Sequence, residues 1–257
     1  MDVSATLHSG EPQSNRRKLL DPSELGTKEY WDQAYKHELQ NNEEDAEDEG
    51  TVWFSESGAE EAILTQLNAL ELEGSLDREH ARFLDLGTGN GHLLFSLREE
   101  DDEEACWSGE MVGVDYSETS VELSRRIAAQ KEVDDAVQFE LWDLLSAPPG
   151  DWLKEGFDVA LDKGTFDAIS LMPRPSDSET AHPCEIYREK VAPLIKAGVG
   201  FLVITSCNWT KEEVHDWLAP AGAELEYYAE AKYPTFTFGG QTGQSIVTLV
   251  LKRRSVR

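Results

Sequence analysis

The stretch Phe83-Leu84-Asp85-Leu86-Gly87-Thr88-Gly89-Asn90-Gly91 decides how this chain is read. A short apolar strand carries one acidic residue and then enters a turn with glycine at every second position. Helical spacing follows at once in His92-Leu93-Leu94-Phe95-Ser96-Leu97. A strand that passes to a helix in this way lets a ligand approach the backbone closely. Glycine suits the turn because a Cβ would block both the positive φ angles and the ligand. A phosphate loop would continue to Gly-Lys-Ser/Thr, and a dinucleotide loop would space its glycines as G-x-G-x-x-G. Here the spacing is Gly87-x-Gly89-x-Gly91. The acidic residue ahead of the first glycine suits a cationic head group better than a pyrophosphate. S-adenosylmethionine (SAM) meets these demands, because its methionine part carries an ammonium group.

Outward from this turn, short apolar strands alternate with helices. Strands are expected at Phe83 to Leu86, Met111 to Asp115, Ala136 to Leu141, Phe157 to Leu161, Val199 to Thr205, Ala223 to Ala229 and Ser245 to Lys252. Helices are expected at Lys28 to Leu39, Ser57 to Leu72, Ser117 to Gln130, Cys184 to Ile195 and Lys211 to Leu218, with Ser117 as a cap. This alternation implies an α/β fold: a Rossmann-like, doubly wound, seven-stranded sheet, mostly parallel. The last two strands lack an intervening helix, so an antiparallel C-terminal hairpin finishes the sheet. Residues 1–24 are polar and read as a disordered tail, leaving 25–257 as one domain.

Ligands of such sheets bind at the carboxyl ends of the strands. Asp85 closes the first expected strand. Asp115 closes the second, about 20 residues past the glycine turn, where a carboxylate accepts from ribose hydroxyls. Tyr116 stands beside it. Asp143 ends the third, placed to accept from the adenine amino group while the Leu144 amide reads the ring nitrogen. Asp162 ends the fourth. Any one of these is explained by a turn or a cap, but four in register at one edge point to a shared site. Trp31 and Trp53 read either as ordinary core or as a cover for the cofactor, and Trp53 joins the cofactor-binding set. His92, His182 and His215 lack metal-ligand spacing, and no metal is expected.

The 257 residues include 51 Asp+Glu against 23 Lys+Arg, a net charge of −28. Such a surface repels nucleic-acid backbones and anionic membranes and attracts a basic partner. Much of the charge lies in two runs, Glu43 to Glu49 and Glu99 to Glu104, which read as solvated loops serving solubility or a basic partner. No run approaches the roughly 20 apolar residues of a membrane helix. The three cysteines form no C-x-x-C pair, which fits a reducing compartment.

The segments LGTKEYWDQAY, VWFSE, FLDLGTGNG, GVDYS, DKGTFDAI, ITSCNW and FGGQTGQSIVTLVLKR resemble the class I SAM-dependent methyltransferases. Among these, they resemble the lysine methyltransferases acting on translation elongation factor 1-alpha. The glycine motif is shared by the whole class, whereas DKGT-x-DA, ITSCNW and the YWD opening are narrower. The resemblance implies SAM contacts from Asp85, Gly87, Gly89 and Gly91, a ribose contact from Asp115, an adenine contact from Asp143, and Asp162 beside the methyl group and target lysine. Asn208 or an aromatic from Tyr233 to Phe238 is expected as a second wall for the amine, with Lys163 turned away. A monomer in the cytoplasm, and also the nucleus, is expected, acting on a basic protein without direct nucleic-acid or membrane contact. A small-molecule methyltransferase, a non-catalytic SAM-binding assembly factor and a nicotinamide-dependent oxidoreductase are the alternatives.

Overall fold

The computed structural model describes residues 18–99, 106–177, 180–234, 236–238 and 241–255. Its elements are α1 (Lys28–Glu44), α2 (Ala59–Leu72), β1 (Phe83–Leu86), α3 (His92–Arg98), β2 (Met111–Asp115), α4 (Glu118–Gln130), β3 (Val137–Leu141), β4 (Val159–Lys163), α5 (Thr165–Ser170), α6 (Pro183–Val191), β5 (Phe201–Ser206), α7 (Lys211–Leu218), β6 (Leu225–Glu230), β7 (Phe236–Phe238), β8 (Gln241–Gly243) and β9 (Val247–Arg253). Seven strands form one sheet in the order β3-β2-β1-β4-β5-β9-β6, and β7 pairs with β8 apart from it. The strands from β3 to β5 run parallel, while β9 is antiparallel to both its neighbours.

Side chains alternate across a strand, so each central strand feeds two apolar layers. Phe83, Val159, Leu161, Phe201 and Val203 pack with Ile63 and Leu67 of α2 and Leu94 of α3. Leu84, Leu86, Ala160, Leu202 and Ile204 pack with Tyr187 of α6 and Trp217 of α7. The expected doubly wound sheet is therefore present.

Several boundaries differ from the sequence reading. β4 starts later than expected and runs to Lys163, so Asp162 lies inside the strand rather than at its end. The six-residue helix α5 is too short for periodicity to announce. The expected antiparallel C-terminal pair does finish the sheet, with β9 inside, next to β5, and β6 at the edge. Leu249, Val250 and Leu251 of β9 are fully buried, whereas Tyr227 and Tyr228 of β6 stay partly exposed, so the more apolar strand takes the inner position. Ser117 stands at the α4 N-cap without a side-chain cap bond, and its hydroxyl pairs with Thr119 Oγ1 at 3.0 Å. Residues 1–17 lie outside the described residues. Within the expected tail, Leu19 and Leu20 pack on the core, and the Ser23 amide donates to the Leu171 carbonyl at 3.1 Å.

The N-terminal edge of the sheet is closed by Arg82. Its guanidinium grips Glu110 with Nε–Oε2 at 2.9 Å and Nη2–Oε1 at 3.1 Å. It also donates to the carbonyls of Trp152 at 2.9 Å and Gly156 at 2.5 Å, and lies over the Phe157 ring. Lys154 adds a second cation on Glu110 at 2.8 Å. The Arg82 hydrogen bond, helped by Lys154, holds the Glu110 carboxyl down at about 2.

Removing the Arg82 side chain leaves several buried carbonyls without a donor. Arg82→Ala should therefore cost about 3–5 kcal/mol of stability in urea unfolding. Because the folded pKa of Glu110 is depressed, its contribution is complete above its ordinary 4.5 and is lost as pH falls through about 2. Glu110→Gln should thus lose less stability than the parent protein between those limits. Equal acid sensitivity of the two proteins would refute this role for the pair.

Candidate active site

At the opposite edge, beyond the carboxyl ends of β1, β2 and β4, lies a cavity of about 470 Å³, a size typical of ligand sites. Leu86, Gly87, Thr88, Gly89 and Asn90 form its floor. Gly89 has φ +60°, and a Cβ there would come within 2.6 Å of the Tyr35 hydroxyl. Gly91 differs from the sequence expectation. It stands behind the cavity at the start of α3, where a Cβ would meet the Phe139 ring at 2.7 Å and the Phe95 ring at 2.9 Å. Its small size serves helix–strand packing.

Asp85 projects from β1 into this floor and is almost fully buried. Thr88 Oγ1 donates to its Oδ2 at 2.8 Å. Burial drives the carboxyl up to about 7, against the pull of Thr88 and of the Lys163 charge. Asp115, at the end of β2, accepts from the amides of Gly89 at 3.1 Å and Ser117 at 2.9 Å. Burial raises this carboxyl as well. Tyr116, Asp143 and Leu144 continue the same wall. Asp143 accepts from the Leu145 amide at 2.9 Å and from Ser146 Oγ at 2.7 Å, which fixes its loop.

The N-terminal aromatics line the cavity, and two of them also belong to the packing of the fold: Tyr35 is part of the core and Trp31 packs against it. Trp53 is 37% exposed and meets Trp31 edge-on at 5.3 Å, and Trp31 stacks over Tyr35 at 6.0 Å. Trp31, Tyr35, Trp53 and Phe54 all line the site. This aromatic roof is anchored. Trp31 Nε1 donates to the Leu25 carbonyl at 2.7 Å, and Asn90 Nδ2 donates to the Glu49 carbonyl at 2.8 Å. The acidic run from Glu43 is therefore not a free loop. Its first two residues end α1, and buried Asn42 holds the Asp48 carbonyl at 3.0 Å and Gln130 Oε1 at 3.2 Å. In the second run, residues 100–104 lie outside the described residues, while Glu99 pairs with Lys131 at 2.9 Å.

Asp162 does not reach the cavity. It is fully buried on the α6 face, where its carboxylate accepts from the amides of Thr165 at 2.9 Å and Phe166 at 3.0 Å and from the Tyr187 hydroxyl. The period of the strand explains this, since the residue shares the face of Ala160 and not that of Leu161. Asn208 does line the cavity, beside Cys207. Lys163, expected to point away, lies on the wall. Its Nζ donates to the Trp53 carbonyl at 2.9 Å and stands 3.4 Å from Glu60. Tyr233 is absent from the cavity wall and bonds Thr248 Oγ1 at 2.7 Å. The side chains of Phe236 and Phe238 lie outside the described residues.

The sequence reading passed over Asp167, in the first turn of α5. It borders the cavity, and its carboxylate accepts from the Cys207 amide at 2.8 Å and from Ser206 Oγ. The DKGTFDAI segment contains it, but only the unforeseen helix α5 turns it toward the site. Burial raises its carboxyl, and the same surroundings push the Cys207 thiol up to about 12.

The residues fit the ligand expected from the turn. Asp85 is a buried carboxylate whose described hydrogen bond comes from a neutral hydroxyl, so it leaves room for a cation. Asp115 and Asp143 keep acceptor capacity toward the cavity, since a carboxylate has about four lone-pair sites. Among the described residues, no group of three His, Cys, Asp or Glu is arranged to hold a metal ion.

A family model described as a methyltransferase domain matches residues 77–250. Protein-lysine N-methyltransferase EFM4 of Saccharomyces cerevisiae is 37% identical over 92% of this chain and 97% of its own length. EEF1A lysine methyltransferase 2 of Danio rerio is 38% identical over 98% of this chain and 99% of its own. Its Homo sapiens namesake is 35% identical over 90% and 88%. Among solved structures, the N-methyltransferase NodS from Bradyrhizobium japonicum, in complex with S-adenosyl-L-homocysteine, matches with a TM-score of 0.52 at 13% identity, over 87% of this chain and 98% of that one. The cyclase SpnF matches at 0.51 and 16% identity, over 74% and 82%. Such distant likeness shows the shared fold alone.

The packing role of Gly91 can be separated from mere backbone strain. Gly74 also has a positive φ, but a Cβ there would meet nothing within 4 Å. Gly74→Ala should cost about 1–2 kcal/mol for the left-handed conformation alone. Gly91→Ala should cost clearly more in urea unfolding, through overlap with Phe95 and Phe139. Equal losses would remove the packing explanation.

Proposed function

The chain belongs to the methyltransferase-domain family, in the group that holds the EEF1A lysine methyltransferases, and from that premise we propose that it transfers a methyl group from SAM to a lysine of translation elongation factor 1-alpha. The observation that carries this proposal is likeness from end to end to enzymes named for that reaction, including the aromatic N-terminal segment that roofs the cavity. The acidic charge of the chain favours encounter with a basic protein over nucleic acid. On this reading the enzyme works as a monomer in the cytoplasm and also in the nucleus.

Asp85 would hold the ammonium of the cofactor, against the backbone of Gly87 and Gly89. Asp115, with Tyr116 beside it, would accept from the ribose hydroxyls. Asp143 and the Leu144 amide would take the adenine, and Trp53 would cover the site. When bound, SAM supplies a methyl group already activated on a sulfonium. The chain's own residues then have to orient the amine in line and exclude water. A lysine has a reference pKa of about 10.4, so near neutral pH almost all of it lacks a free lone pair. The protein must therefore bind an ammonium and let one proton leave to water. The chain's own part in the transfer would be to hold the deprotonated nitrogen in line with the methyl carbon, which would leave the sulfonium sulfur as a neutral thioether.

Two outcomes follow. Purified chain incubated with elongation factor 1-alpha and methyl-labelled SAM should place the label on a lysine, found by peptide mass spectrometry. Label only on small molecules of an extract would overturn the proposal. SAM affinity should also depend on pH through Asp85. Its carboxyl ionises near 7 without ligand, and a bound ammonium favours the ionised form. Affinity should hold above about pH 7 and fall by up to tenfold per unit below it. Asp85→Asn should bind about 10- to 100-fold more weakly and lose this slope, as calorimetry would show. An unchanged slope in the variant would remove Asp85 from the ammonium site.

A further inference from the structure

Two buried aspartates flank the turn between β4 and α5, and they face opposite ways. Asp162, fully buried, looks into the α6 layer and is held by two amides and the Tyr187 hydroxyl. Asp167, 5% exposed, borders the cavity. Its partners, among them the Ser206 hydroxyl and the Cys207 amide, come from the end of β5 and immediately beyond it. They fix the direction of the carboxylate without neutralising it. Among the described residues no lysine, arginine or histidine pairs with Asp167. Lys163, on the same wall, is tied to the Trp53 carbonyl and to Glu60.

A buried carboxylate without a cation is costly unless a partner arrives. The wall of the same cavity also carries Trp53, Phe54, Met172 and Asn208. Aromatic and thioether surfaces suit the four-carbon stem of a lysine, and ring faces attract its ammonium. Asn208 offers an amide oxygen as a second acceptor.

We propose that Asp167, rather than Asp162, is the carboxylate that receives the substrate amine, with Asn208 beside it; this rests on the lysine methyltransferase reading above. Asp162 is then a positioning residue. It holds the first amides of α5 and so sets the angle from which Asp167 faces the cavity.

The test uses elongation factor 1-alpha and a form of it in which the lysine mapped by labelling is changed to methionine. Both are titrated against the enzyme saturated with S-adenosylhomocysteine. The parent enzyme should prefer the lysine form by at least about tenfold, as expected for a charged hydrogen bond. Asp167→Asn should lose that preference while keeping its affinity for SAM. Asp162→Asn should unfold at a lower temperature and lose less of the preference than Asp167→Asn does. Retention of the preference in Asp167→Asn, with or without its loss in Asp162→Asn, would overturn the assignment. If Asp167→Asn does not fold, Asp167→Ser is read in the same way. A parent enzyme that places no label on elongation factor 1-alpha defeats the lysine reading itself. A parent enzyme that labels it, with an Asp167 variant that still discriminates, defeats only the present inference.

Discussion

The placement of uncompensated negative charge governs this molecule. Among the described residues the buried carboxylates are Asp85, Asp115, Asp162 and Asp167, and all of them lie around the carboxyl ends of the central strands or the turn that follows β4. Burial raises each of them. Their hydrogen bonds come from backbone amides and hydroxyls, not from cations. The opposite edge is built differently. There Arg82 meets Glu110, and Lys196 meets Asp158 at 2.9 Å. One edge of the sheet is neutralised within the fold, and the other is left to be neutralised by what binds. Such an edge suits cationic ligands, and a methyl donor with an ammonium and an acceptor with an ammonium meet that condition on the function proposed above.

The rest of the architecture serves that edge. β1 lies between β2 and β4 in the parallel sheet, so their carboxyl ends bring Asp85, Asp115 and the α5 turn to one opening. α1 packs on α4 through the Asn42–Gln130 pair, which lays the Trp31, Tyr35 and Trp53 roof across the glycine turn. The Asn90 side chain then fastens the acidic segment after α1 to the turn itself. Trp53, on the wall of the cavity, is partly exposed to solvent.

Much of this is legible in the sequence, and the exceptions have physical causes. The alternation of apolar strands with helices fixes the doubly wound sheet. The glycine spacing and the acidic residues locate Asp85, Asp115 and Asp143 at the site, because strand ends and turns are local features. Asp162 is expected at the ligand edge but lies one residue inside β4, where the alternation of the strand puts it on the face of Ala160. Asp167 is missed because its direction depends on α5, a helix of six residues with no periodic signal. The place of β9 inside the sheet depends on burial competition with β6, which is a tertiary effect. The roles of Trp31 and Trp53 depend on how α1 is tethered, and spacing does not encode that.

The most direct measurement is a structure of the enzyme with S-adenosylhomocysteine and the lysine-bearing segment of elongation factor 1-alpha. The account predicts the cofactor ammonium on Asp85, the ribose on Asp115, and the lysine nitrogen within hydrogen-bond distance of Asp167 under the Trp53 roof. A lysine nitrogen directed at Asp162, or a cofactor ammonium paired elsewhere with Asp85 left bare, would contradict it.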